Sequence, residues 1–282
     1  MTIGARVPLL TDPEPSDVRG GIAVHRHGVI AEVVLCRPER RNALDLAIWR
    51  RLTEAFRTLD ADPQLRVAIL RGAGGHLSAG SDILQFPEHR TGMAAAEEYN
   101  AAIADALESV MSFRRPVVAM ISGMAVGGGC ELACASDLRI AAADATLGVP
   151  IARLGVSIGP TEARAMLRVM PPARLKDLLL TARLVRADEA LALGLVDRVV
   201  PPDELADATW TLASGIADGA PLSAMANKLT VDAVAEGTLP AAEDRLRELM
   251  REIYEGPDLQ EGILAFAEKR PPRFGGDRGG AT

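Results

Sequence analysis

Two short stretches hold the residues best suited to chemistry. V-G-G-G-C-E-L at 126–132 sets three consecutive glycines and a cysteine in front of Glu131, and H-L-S-A-G-S-D at 76–82 gathers small residues around Gly80. Glycine runs cost conformational entropy on folding, so they persist where backbone must bend sharply or approach something closely. Each stretch follows an apolar run of strand type, one around Val118 and the other around Ile69. Small side chains leave backbone N–H groups free to face a cavity. Two converging N–H groups, one from each loop, suit a carbonyl oxygen that becomes negative during a reaction, and the positive end of a helix starting near Gly129 adds to the effect. Glu131 stands beside them as a proton carrier: a helix start favours its anion, whereas burial raises its pKa and lets it exchange protons near neutrality. No Gly-Lys-Ser/Thr follows the glycines and the dinucleotide spacing is absent, which excludes both common phosphate loops.

The elements that must position these loops follow from periodicity. Residues 22–27 and 29–35 read as a hairpin divided by Gly28, and residues 45–59 carry apolar residues at helical spacing from Leu46 to Leu59. A strand at 67–71, a helix over 94–112, a strand at 116–121, helical character over 129–134 and a buried strand at 138–141 come next, followed by an irregular stretch at 145–160. This βαβα alternation implies a mostly parallel sheet covered by helices, with sites at the carboxyl ends of its strands. From residue 201 the pattern becomes helical, with segments at 205–217, 222–236, 241–254 and 259–268. The organisation expected is a flexible leader at 1–20, a core at 21–200, a helical module at 201–274 and a flexible tail at 275–282.

Composition bounds the function classes. The chain has 282 residues, 48% of them hydrophobic, and a net charge of −7 with no basic block, which argues against nucleic acid. Cys36, Cys130 and Cys134 are odd in number and lack a disulfide framework, so a reducing, cytoplasmic setting is expected. Cys130 and Cys134 have no histidine within ligand spacing, so they read as packing residues, and no metal is expected. No run approaches the length of a membrane span and the start lacks a signal-peptide core, so no membrane association is expected.

Six ordered motifs identify a resemblance to the crotonase (enoyl-CoA hydratase/isomerase) superfamily over about residues 22–274. They are R-P-E-R-R-N-A-L at 37–44, S-A-G-S-D-I at 78–83, G-G-G-C-E-L-A at 127–133, S-D-L-R-I-A at 136–141, A-L-A-L-G-L-V-D-R-V-V at 190–200 and E-G-I-L-A-F-A-E-K-R at 261–270. The resemblance implies an α/β crotonase (ClpP-like) spiral of ββα units with a C-terminal helical trimerisation module. It implies an acyl-CoA thioester as ligand, with coenzyme A as part of the substrate and no further cofactor, in a homotrimer or hexamer. Carried over by position, the oxyanion hole falls on the N–H groups of Ser81 and Gly128. Asn42, Ala43, Ala79, Asp82 and Ile83 fall in the CoA pocket, largely through main chain. Phe266 and Lys269 match positions that reach the CoA of a neighbouring subunit. Glu131 matches the first of two glutamates that position water for addition to an enoyl double bond.

The second glutamate is missing: L-G-V-P-I-A at 147–152 places Ile151 where the acid belongs. Four meanings stay open: hydration by Glu131 alone, a one-base reaction such as hydrolysis, decarboxylation or isomerisation, substitution by a displaced acid, or a non-catalytic acyl-CoA binder. Glu162 is the nearest displaced acid, but its sequence context reads as a helix start capped by Thr161, a structural role. Of the histidines, His25 and His27 read as exposed hairpin residues, His76 as structural, and His89 as a loop residue that could cover the acyl group.

Overall fold

The computed structural model describes residues 11–275. β1 (Ile22–His27) and β2 (Ile30–Leu35) form the expected antiparallel hairpin, with His27 opposite Ile30 across the turn at Gly28. α1 (Leu46–Asp60) starts where the Asp45 carboxylate accepts the Ile48 N–H at 2.8 Å, satisfying one of the donors that a helix start leaves free. It buries Ile48, Trp49, Leu52, Phe56 and Leu59, the stripe its spacing predicts. β3 (Val67–Gly72) lies parallel to β2, and a one-turn helix α2 (Phe86–His89) and the long α3 (Met93–Met111) lead to β4 (Val117–Ile121).

The chain then departs from the simple strand-to-helix junction expected after β4. A further short strand, β5 (Met124–Val126), comes first, and only then α4 (Gly128–Ala135), whose eight residues are all buried. β6 (Leu138–Ala142) follows, and the stretch expected to be irregular contains β7 (Thr146–Gly148) and a 3₁₀ turn over Ile151–Leu154. Next come α5 (Pro160–Leu167), α6 (Pro172–Thr181), β8 (Val185–Arg186), α7 (Ala187–Leu193) and β9 (Arg198–Val200). Four helices close the chain: α8 (Leu205–Ala217), α9 (Pro221–Ala235), α10 (Leu239–Glu255) and α11 (Pro257–Glu268).

The strands divide into a six-stranded sheet in the order β1-β2-β3-β4-β6-β9, parallel from β2 to β9, and a small sheet in the order β5-β7-β8. After β4 and again after β6 the chain passes from the large sheet into the small one, so the carboxyl ends of these two parallel strands lead toward the small sheet. The large sheet is buried on both faces, and its side chains alternate with period two. Ala68 and Leu70 face the main core with α1, α3 and α4, while Val67 and Ile69 face Leu205, Ala213 and Ala217 of α8. Thus α8 belongs to the packing of the sheet, although the sequence groups it with the later helices. α9 is tied to the core by ions: Lys228 Nζ donates to Asp137 Oδ2 at 2.7 Å, and Arg168 holds Asp232 at 2.7 Å and Glu236 at 2.6 Å.

The first ten and last seven residues of the expected leader and tail lie outside the described residues. The rest of the leader is held against the sheet edge, where Arg71 donates to Thr11 O and the Gly74 N–H reaches the Asp12 carboxylate. No described helix is long and apolar enough to cross a membrane.

Candidate active site

The two glycine-bearing loops are joined by backbone. The Ser78 N–H donates to Met124 O at 2.9 Å and the Val126 N–H donates to Ser78 O at 3.0 Å, so the loop after β3 runs beside β5 as a parallel bridge. Gly80 has φ +95°, and a β-carbon there would lie 2.6 Å from Val126 O. Beyond the bridge, a β-carbon on Gly128 would meet the buried Trp49 ring at 2.6 Å, and one on Gly129 would meet Ser78 O at 2.6 Å. The glycines of the V-G-G-G motif therefore let the start of α4 abut α1 and the Ser78 loop at van der Waals distance. Among the described residues, the N–H groups of Ser81 and Gly128 donate to no protein acceptor, and both residues line one cavity of about 100 Å³.

A second set of bonds fixes the 37–45 loop against Ser81. Arg37 donates to Ala43 O, Asp45 Oδ2 and Asp82 Oδ2, each at 3.1 Å. Asn42, in the left-handed region at φ +56°, uses its side chain fully: Nδ2 donates to Ala73 O and His76 O at 2.8 Å, and Oδ1 accepts the Arg37 N–H at 2.9 Å. The Leu44 N–H then donates to Gly80 O at 2.8 Å and the Asp82 N–H donates to Leu44 O at 2.8 Å. The side chains of Asn42 and Asp82 thus brace the loops. Of the pocket residues expected by resemblance, Ala79 and Ile83 line the cavity directly, with Ile83 at its exposed rim, and Ala43 lends its carbonyl to Arg37.

Glu131 sits in the first turn of α4 and faces the same cavity. Burial pushes its carboxyl up from the ordinary 4.5 to about 8; repulsion from Glu162 adds to this, and the Arg90 charge opposes it. Desolvation outweighs the helix start, which by itself would favour the anion. Glu162 is as buried as Glu131, at 6% exposure each. Glu162 does open a helix, as its context implies, but the cap is corrected: it is Gly159 with Pro160 at the first helical position, so Thr161 lies inside α5, and Glu162 lines the cavity from the first turn. The carboxylate folds over its own cap, where a β-carbon on Gly159 would lie 2.5 Å from Glu162 Oε2. Ile151 and Glu162 are separated in sequence, yet the 3₁₀ turn and the left-handed Gly155 return the chain so that both line the cavity. The Gly-Pro pair is the sequence signal that could have located this acid.

The other expected residues fall elsewhere. Phe266, 88% exposed at the end of α11, lies on a separate trough of about 980 Å³ beneath the C-terminal helices, and Lys269 ends that helix in a left-handed turn. Neither residue lines the Glu131 cavity. His76 Nδ1 accepts the Met124 N–H at 3.2 Å and supports the loop bridge, and His89 is not among the cavity residues. Cys130 and Cys134 are buried within the core. The hairpin histidines differ from expectation: both are partly buried, and His27 Nε2 lies 2.6 Å from Glu32 Oε1, whose partner oxygen accepts from Arg71 at 2.7 Å. The ligand atoms of His25, His27 and Glu32 lie within 4.8 Å of one another, far in the fold from the cavity and with Arg71 already on the carboxylate.

A spiral of strand–strand–helix units that presents two free N–H groups and a buried carboxyl pair at its strand ends defines a class of fold and site. The chain belongs to the enoyl-CoA hydratase/isomerase family, whose model matches residues 25–277. It is 39% identical over 252 residues to a putative enoyl-CoA hydratase of Thermus thermophilus, covering 88% of this chain and 98% of the relative. It is 37% identical over 250 residues to the (E)-benzylidenesuccinyl-CoA hydratase of Thauera aromatica, covering 88% of this chain and 96% of the relative. Among solved structures, an enoyl-CoA hydratase/carnithine racemase from Magnetospirillum magneticum superposes with a TM-score of 0.86 at 40% identity, covering 91% of this chain and 96% of that one. The shared architecture is the crotonase fold.

Proposed function

We propose that the chain is an enoyl-CoA hydratase-like lyase in which Ser81 and Gly128 hold the thioester oxygen and a Glu131–Glu162 pair moves the protons. The observation that carries this reading is the meeting of two buried carboxyl groups in the cavity that both free N–H groups face. Hydration of an enoyl thioester needs one carboxylate and one carboxylic acid. The carboxylate takes a proton as water oxygen bonds to the β-carbon, and the electron pair of the double bond moves toward the thioester oxygen, which the two N–H groups stabilise. The acid then protonates the α-carbon, so water is added across the bond and the pair is left with one proton, as it began. Glu131, pushed up to about 8, is the member that holds the proton at neutral pH. Glu162 thereby does from α5 what an acid at Ile151 would do from the preceding turn.

The names of the relatives point the same way, toward hydration or dehydration of CoA thioesters. Phe266 and Lys269 at the end of α11 suit contacts with the CoA of a neighbouring subunit in a homotrimer or hexamer, since exposed Tyr254, Ile263, Leu264 and Phe266 form an apolar strip there. The test is loss of the enoyl absorbance of crotonyl-CoA together with mass-spectrometric detection of the hydrated product. Release of free thiol without hydrated product would instead identify a one-base hydrolase, and binding without turnover would identify a non-catalytic acyl-CoA binder.

A further inference from the structure

We propose that this pocket selects CoA thioesters whose acyl group carries a carboxylate of its own, with Arg90 as the receiving cation. The inference rests on the acyl-CoA reading above and adds a substrate class to it. Arg90 lines the same cavity as Ser81, Gly128 and the two glutamates, where the remaining wall is largely apolar, as at Ile103, Ile151 and Ile158. Its guanidinium is held in place by aromatic faces: Cζ lies 4.9 Å from the ring centroids of both Phe86 and Tyr99. Tyr99 is itself pinned, since its hydroxyl donates to Leu44 O at 3.0 Å. The cation is thus positioned by α2 and α3 together, and it occupies one wall of the acyl space.

What the guanidinium lacks is a carboxylate. Its only hydrogen bond among the described residues is from Nη2 to the Asn100 side-chain oxygen. The buried arginines are paired, Arg71 with Glu32, Arg115 with Asp60 and Arg139 with Asp197, and the partly buried Arg168 pairs with Asp232; Arg90, also partly buried, pairs with no carboxylate among the described residues. A guanidinium presents five donors in a planar fork matched to a carboxylate, so most of the Arg90 fork remains open to a ligand. The guanidinium is partly buried, so a carboxylate that pairs with it inside the cavity is less screened than one at the open surface. Glu131 is largely protonated near neutrality, so the glutamate pair does not present two full charges to an incoming anion. An acyl chain gripped at its thioester oxygen and extended past the pair brings a terminal carboxylate to Arg90.

The test uses saturated thioesters that cannot be hydrated, so that binding is read apart from catalysis. Calorimetric titration of the whole protein with glutaryl-CoA and with valeryl-CoA, equal in chain length, is expected to show at least about tenfold tighter binding of the dicarboxylic thioester, the scale of one charge-assisted pair. Arg90→Gln is expected to abolish that preference while changing valeryl-CoA affinity less than about threefold, and Arg90→Lys to retain part of it. Equal binding of the two thioesters by the unaltered protein, or a preference that survives in Arg90→Gln, overturns the proposal. Binding of neither overturns the acyl-CoA reading with it. A carboxylate preference that depends on Arg90, in a protein that fails to hydrate any enoyl thioester, supports the pocket assignment and removes only the hydratase reaction.

Discussion

At the scale of single residues, the division of chemistry proposed for Glu131 and Glu162 gives each a measurable signature. Glu131→Gln and Glu162→Gln should each lower kcat by about 10²–10⁴-fold, the range for a positioned acid or base, with thioester affinity largely kept. Since Ile151 lines the same cavity as Glu162, adding Ile151→Glu to the Glu162→Gln variant should recover part of the lost rate, measured on the same enoyl thioester. Rate should also fall as the pH rises through about 8, where Glu131 gives up its proton. Stability moves in the same direction. Between its ordinary 4.5 and about 8 the folded protein keeps a proton on Glu131 that the unfolded chain releases, so stability declines over that window and then levels. Urea midpoints across that range should slope less in Glu131→Gln. Glu131 was legible because glycine loops preceded it in sequence. Glu162 was visible as the nearest displaced acid at a helix start, but its approach to the cavity, like that of Arg90, is a tertiary return of the chain that sequence spacing does not record.

The unit that matters at the element scale is the bridge between the loop after β3 and strand β5. Gly80→Ala places a β-carbon 2.6 Å from Val126 O at φ +95°, so the bridge must open or the backbone must shift. The expected cost is about 1–3 kcal/mol in a thermal or urea melt, with a larger fractional loss in kcat than in folding stability, because Ser81 and Gly128 move apart. The main strands and helices were readable from their periods, as in the buried stripe of α1. β5, β7 and β8 were not, because two or three residues are too few to establish alternation. That is why the junction after β4 looked like a single strand-to-helix turn, when a second sheet comes between.

For the whole molecule, the sheet carries α8 on one face and α1, α3 and α4 on the other, while α9 is held by the Arg168 and Lys228 ion pairs. The apolar strip at Tyr254, Ile263, Leu264 and Phe266 should be covered in solution. Light scattering after gel filtration is expected to read three or six copies, and Leu264→Glu with Phe266→Glu to yield single chains. Composition and motif order made the fold class legible, whereas the position of α8 was not, since helical spacing does not say which surface a helix covers.

The bridge between the two loops also bears on how the protein can be altered. The N–H groups of Ser81 and Gly128 are spaced mainly by main-chain bonds at Ser78, Leu44 and Val126, with Leu44 O also accepting the Tyr99 hydroxyl. Phe86, Arg90, Ile103, Ile151 and Ile158 come from other segments. A library varied at those positions would therefore explore new acyl groups while the grip on the thioester oxygen stays the same. Acyl recognition and the proposed polarisation of the thioester thus rest largely on different segments of this molecule, so the first can be redrawn with little retuning of the second.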